Sequence, residues 1–129
     1  MEQEHLMKAL AQVKRIGTLL NELQDLTRQL AEALDRNDQV AAEMLIAMRQ
    51  EPLERLESVR RALDDQVRDI QEKDDALRLA ILLDGGAPED DSEKLLSDQV
   101  AANGRRLKQV IELDRILNKK IAREKSIYQ

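Results

Sequence analysis

The chain has 129 residues, a formal charge of −5 and no cysteine, with 42% apolar residues but a single aromatic, Tyr128. Those numbers exclude a disulfide framework and a thiolate metal site, and they argue against general nucleic-acid binding. Without Phe or Trp, the interior must be filled by Leu, Ile, Val, Met and Ala, which suits interdigitated helices better than a sandwich or a deep small-molecule cleft.

Residues 4–35 carry a helical stripe: Leu6, Leu10, Val13, Ile16, Leu20, Leu23, Thr27, Leu30 and Leu34 recur at steps of three or four. Leu19, Leu26 and Ala33 widen the stripe as bundle packing requires. Gly17 within it is either a helix-propensity cost of about 1 kcal/mol or a place where another helix comes close. The run Asp35-Arg36-Asn37-Asp38 breaks the pattern, and Asn37 or Asp38 can cap the next helix.

A short helix over 38–50 is expected next, followed by Pro52 in the first turn of a third helix over 52–83. The alternative is one continuous helix kinked at Pro52, and the spacing does not choose between them. From Leu53 the stripe resumes through Leu56, Val59, Leu63, Val67, Ile70, Leu77 and Ile81, with Asp74 standing where an apolar residue is due. The segment 84–92, with Gly85, Gly86, Pro88 and four acids, is the strongest break. Ser92 is the expected cap of a last helix over 92–125, whose apolar marks are Leu96, Val100, Leu107, Val110, Leu117 and Ile121. Asn103 and Asp114 interrupt that repeat, and Gly104 suggests a weak point. The fold expected is all-α: an elongated antiparallel bundle of three long helices, with a short helix after the first, forming one domain over 1–129.

Chemistry-bearing patterns are sparse. His5 is the sole histidine and stands three residues after Glu2 at the chain's start, so a surface histidine is expected rather than a metal ligand or a catalytic base. Neither GxxxxGK[ST] nor GxGxxG occurs. Asp64–Asp65 and Asp74–Asp75 read as solvated helix faces. The expectation is therefore a protein that is not an enzyme, with no cofactor and no metal. No run approaches the roughly 18 apolar residues of a spanning helix, so no membrane insertion and a cytoplasmic location are expected.

Charge is uneven. Residues 84–98 hold six acids against Lys94, whereas residues 105–129 hold eight bases against Glu112, Asp114 and Glu124. Bases late in a helix complement its dipole, but eight exceed that need and suit a protein partner. Met44 and Met48 are adaptable apolar side chains that either fill the core beside the bend or line a groove for a partner helix.

The run LLNELQDLTRQLAEALDRNDQVAAEMLIAMRQEPLERL resembles the bacterial flagellar export chaperone family typified by FlgN. The likeness lies in a long first helix ending in an acidic turn (Glu32, Ala33, Leu34, Asp35, Asp38) and in the charged segment Arg49-Gln50-Glu51. It extends over roughly residues 13–75, and loosely over the polar end of the last helix from Asn118 to Tyr128. The resemblance implies a chaperone that binds the amphipathic C-terminal helix of hook–filament junction (hook-associated) proteins and prevents premature assembly. On that basis the expected apolar contacts are Met44, Met48, Leu107, Val110, Ile111 and Leu117, with Arg105, Arg106, Lys108 and Arg115 orienting the partner. The alternative is a structural coiled-coil protein that associates with itself, which the breaks at Thr27, Asp74, Asn103 and Asp114 disfavour.

Overall fold

The computed structural model describes residues 1–127, with side chains through Arg123; Tyr128 and Gln129 lie outside the described residues. It contains four helices: α1 (Gln3–Asp35), α2 (Gln39–Asp69), α3 (Lys73–Leu83) and α4 (Asp91–Ile127). None of them is long and apolar enough to cross a membrane.

α1 is the middle of the molecule. It packs along α2 on one side and along α4 on the other, while the short α3 packs on α2 and α4. The pairings give the directions. Gln66 near the end of α2 donates to the carbonyl of His5 at 2.9 Å, so α1 and α2 are antiparallel. Asn103 of α4 donates to the carbonyl of Val13 at 2.7 Å, and Lys120 reaches Asp35, so α4 runs parallel to α1.

The α1–α2 turn is built from local chemistry. Asn37 adopts φ 58° just past the end of α1, and the amides of Asn37 and Asp38 close back onto Leu34 and Ala33. This is a Schellman closure with asparagine in the left-handed position. Asp38 then caps α2, its carboxylate accepting from the Ala41 amide at 3.0 Å. A second Schellman closure ends α3: Gly85 at φ 97° returns its amide to Leu82, and Gly86 returns its amide to Ile81. Gly86 is fixed by space, because a Cβ there would lie 2.8 Å from the Ile81 carbonyl oxygen.

The arrangement of the middle segments differs from expectation. No boundary falls at 50–52; α2 continues through Pro52, and the short helix is the third rather than the second. Pro52 removes one amide from the helix ladder, a cost of about 3 kcal/mol in an unpacked helix. Here the ring is fully buried and continues the line Leu45, Val59 and Leu63, so tertiary packing outweighs the local penalty. The break falls instead at Ile70–Glu72, where Ile70 turns to extended backbone. Asp74 and Asp75 then occupy the first turn of α3, where the helix dipole favours acids. At the start of α4 the cap is Asp90, not Ser92: the Asp90 carboxylate accepts from the Glu93 amide at 3.1 Å, and Ser92 donates to Asp90.

The core has two parts. The lower one, where all four helices meet, contains Leu6, Ala9, Val13, Val59, Leu63, Leu79, Leu82 and Leu96. The upper one, with no contribution from α3, contains Leu26, Leu30, Ala33, Ala42, Leu45 and Leu117.

The glycine roles separate cleanly in a denaturation experiment. Gly85→Ala and Gly86→Ala should each lower stability by about 1–2 kcal/mol, from left-handed strain and from steric overlap respectively. Gly104 lies within α4 with nothing within 4 Å of a built Cβ, so Gly104→Ala should raise stability by about 0.5–1 kcal/mol. Urea midpoints of the three variants check these signs.

Candidate partner-binding groove

α3 has 11 residues against 31 in α2 and 37 in α4. It therefore fills the space between α2 and α4 over only about 16 Å of their length. Beyond its end lies an open groove of about 630 Å³. Ile16 of α1 is its partly exposed floor, over the buried Val13 and Leu20; Leu63 with Arg60 and Asp64 of α2 form one wall, and Val100, Gly104 and Leu107 of α4 the other. Leu83, Asp84 and Gly85 close its lower end.

The apolar surface continues upward. Leu53 and Ile46 lie one and two heptads before Arg60, hence on the same flank of α2, and both are exposed. Ile111 follows Leu107 by one turn on α4 and is 58% exposed. Between Leu53 and Ile46, Arg49 spans from α2 to α4 and donates to Asp114 at 2.6 Å. That ion pair closes the upper end, and it accounts for the acid that interrupts the α4 repeat.

A buried charge cluster holds the lower end in place. Glu93 is 2% exposed, yet its carboxylate accepts from Arg78 Nε at 2.9 Å, from Arg78 Nη2 at 2.7 Å and from the Glu89 amide at 3.0 Å. Arg78 also donates to the Ala87 carbonyl, so one guanidinium ties α3, the return loop and α4 together. The hydrogen bonds from Arg78 hold the Glu93 carboxyl below its ordinary value of 4.5 against the opposing effect of burial.

The middle of the α1–α4 contact is polar. Gln24 donates to Gln109 at 3.1 Å and accepts from Arg106 at 3.2 Å, while Thr27 returns its hydroxyl to the Leu23 carbonyl at 2.7 Å. Gly17 is where α4 comes close, since a Cβ there would lie 2.8 Å from Asn103 Oδ1. Asn103 therefore breaks the apolar repeat without breaking the helix.

The residues singled out from sequence do not form one surface. Leu107 and Ile111 lie on the groove flank, and Lys108 and Arg115, each one residue past a groove-facing position, lie exposed beside it. Val110 and Leu117 are each 2% exposed and face the bundle interior, so they support the groove wall rather than offer surface. Met44 and Met48 are exposed, but roughly 140–180° around α2 from Leu53 and Ile46 by helical geometry. Neither of the two readings given to them, core or groove, describes their position. Arg106 turns to the other side of α4, where with Lys14 it lines a separate polar hollow of about 360 Å³. Arg105 is exposed outside both. At the N-terminus, His5 Nε2 lies 3.4 Å from the Glu2 carboxylate. Among the described residues no group of three or more His, Asp or Glu side chains could hold a metal ion.

The residues beneath the groove, Val13, Ile16 and Leu20, were legible only as core, and Val13 and Leu20 are core. Their signal was the width of the α1 stripe, which is too broad for one neighbour and needs covering from more than one side. Comparison with protein-family models, with curated proteins and with solved structures gives no match for this chain.

A carboxyl held below its ordinary value stabilises the fold fully above that value and loses its contribution as pH falls through the lowered one. Glu93→Gln should therefore be less stable than the unchanged protein at pH 7, and the gap should close as pH is taken below about 4.5. Urea midpoints of both proteins at pH 7, 4.5 and 3 measure that convergence.

Proposed function

We propose that this chain is a non-enzymatic chaperone of the flagellar export type, acting in the cytoplasm. It takes the amphipathic C-terminal helix of a hook–filament junction protein into the groove between α2 and α4 and so withholds that helix from assembly. The observation that carries the reading is the unfilled fourth-helix position above α3, floored by Ile16 and flanked by Leu107. A bundle with three long helices and a truncated fourth presents the shape that an amphipathic helix completes.

The energetics suit a temporary complex. Seating four leucine-sized side chains contributes a gross of about 6–12 kcal/mol, and association costs of about 4–15 kcal/mol oppose it. The net affinity is then modest, which suits a partner that must be released at the export apparatus. Lys108 beside the groove adds orientation and association rate more than affinity. The resemblance of residues 13–75 to the FlgN-type family supplies the identity of the client class.

Co-expression with a hook–filament junction protein tests the reading. Leu107→Asp and Leu53→Asp should reduce co-purified client at least about tenfold, as expected for a charge placed in an apolar contact. Met44→Asp and Met48→Asp should leave recovery unchanged. Equal recovery from all four variants would remove the groove from the account. A homodimer that Leu107→Asp dissociates, with no client recovered, would replace the chaperone with a self-assembling structural protein.

A further inference from the structure

The two ends of the groove are electrostatically unlike. At the lower end α3 terminates, directing the negative end of its dipole along the groove, and Asp84 and Asp64 stand beside that terminus. Arg60 partly offsets Asp64 at 3.5 Å but is held more closely by Glu57 at 2.7 Å, which leaves the exposed Asp84 as the dominant charge there. At the upper end Arg49 is paired with Asp114 and Arg115 with Glu112, which leaves the exposed Lys108 as the dominant charge along the α4 rim. About 15 residues of α2 separate Asp64 from Arg49, a length of roughly 22 Å.

We infer that the groove accepts its guest helix in one polarity. The guest is an amphipathic helix of about 15 residues, parallel to α3 and in line with it. Its N-terminal turn abuts Leu83–Gly85, and acidic side chains in its last turns face Lys108. This deepens the helix-binding reading and rests on it. The guest then continues α3 head to tail, so its positive N-terminal end meets the negative end of α3 and Asp84. The reversed guest would set two negative helix ends and Asp84 against one another, and would carry its acids to Asp64.

The groove also limits length. The Arg49–Asp114 bridge lies across its upper end, so a helix longer than about four turns must pass over that bridge or open it. Only a helix with its apolar residues on one narrow face can meet Ile16, Gly104 and Leu107 together while its other sides stay in water.

The test uses the full chain, isotope-labelled, with a synthetic 15-residue alanine- and leucine-based amphipathic peptide. The peptide has Glu in its last turn and a nitroxide at either its N- or its C-terminus. The N-terminal label should broaden the backbone amides of Leu83–Gly86 and spare those of Arg49 and Asp114, and the C-terminal label should do the reverse. Asp84→Lys should weaken binding about fivefold, and the peptide of reversed sequence should bind about tenfold more weakly. Reversed broadening, or equal broadening at both ends, overturns the polarity and leaves the groove as the site. Broadening confined to the Met44–Met48 flank, or no binding at millimolar peptide, overturns the polarity and the groove together.

Discussion

The packing of α1 on two sides at once is the constraint on which the rest depends. Its buried residues, from Leu6 to Ala33, include leucines on both flanks of the stripe, so no single antiparallel partner can cover them. α2 covers one flank as the other half of a hairpin, and α4 covers the second after the chain has returned past α3. Two helices set on either side of a third leave a furrow between them. α3 fills that furrow only at the lower end, which is why the core separates into a four-helix part and a three-helix part. The open groove is thus a consequence of helix length: 11 residues of α3 against 31 in α2.

Polar contacts hold the furrow at its width. Buried amides are costly unless paired. The pairing of Gln24 with Gln109 and Arg106, and of Asn103 with the Val13 carbonyl, therefore fixes the register of α4 on α1. Leucine contacts alone would tolerate sliding and rotation of α4 toward α2, which would close the apolar surface. Arg49 and Asp114 meet across the upper furrow through a long side chain. Below, Arg78 and Glu93 fix the end of α3 and the return loop. A groove bounded by a cap, a bridge and a polar hinge line is preorganised, and preorganisation lowers the ordering cost of taking up a guest helix.

How far this was legible in the sequence follows from the range of the interactions. The first helix, expected over 4–35, spans Gln3–Asp35 because its signals are local: an uninterrupted repeat followed by Asn37 and Asp38. The acidic stop after Leu83 was equally visible, since Gly85 and Gly86 perform a turn that few other residues allow. Pro52 misled for a physical reason. Its local penalty is real, but the ring is buried among residues brought together only by the tertiary fold. The true break at Ile70–Glu72 contains neither glycine nor proline, and its one marker, the acids at Asp74 and Asp75, reads from sequence as a solvated helix face. The site was least visible. Sequence spacing shows that Leu107 and Val110 are both apolar, but not that one borders a groove while the other points at α1. Met44 and Met48 drew attention by residue type and lie on the opposite flank of α2.

The central claim, that the α1 surface between α2 and α4 is open above α3, is tested most directly by thiol accessibility. The chain has no cysteine, so single replacements report without background. Ile16 lies on the groove floor, whereas Leu30 is fully buried in the upper core. Under native conditions Ile16→Cys should react with a small maleimide in seconds to minutes. Leu30→Cys should react only as fast as the protein unfolds. Equal protection of the two thiols, with the protein folded, would mean that the furrow is closed in solution and would contradict the account at its root.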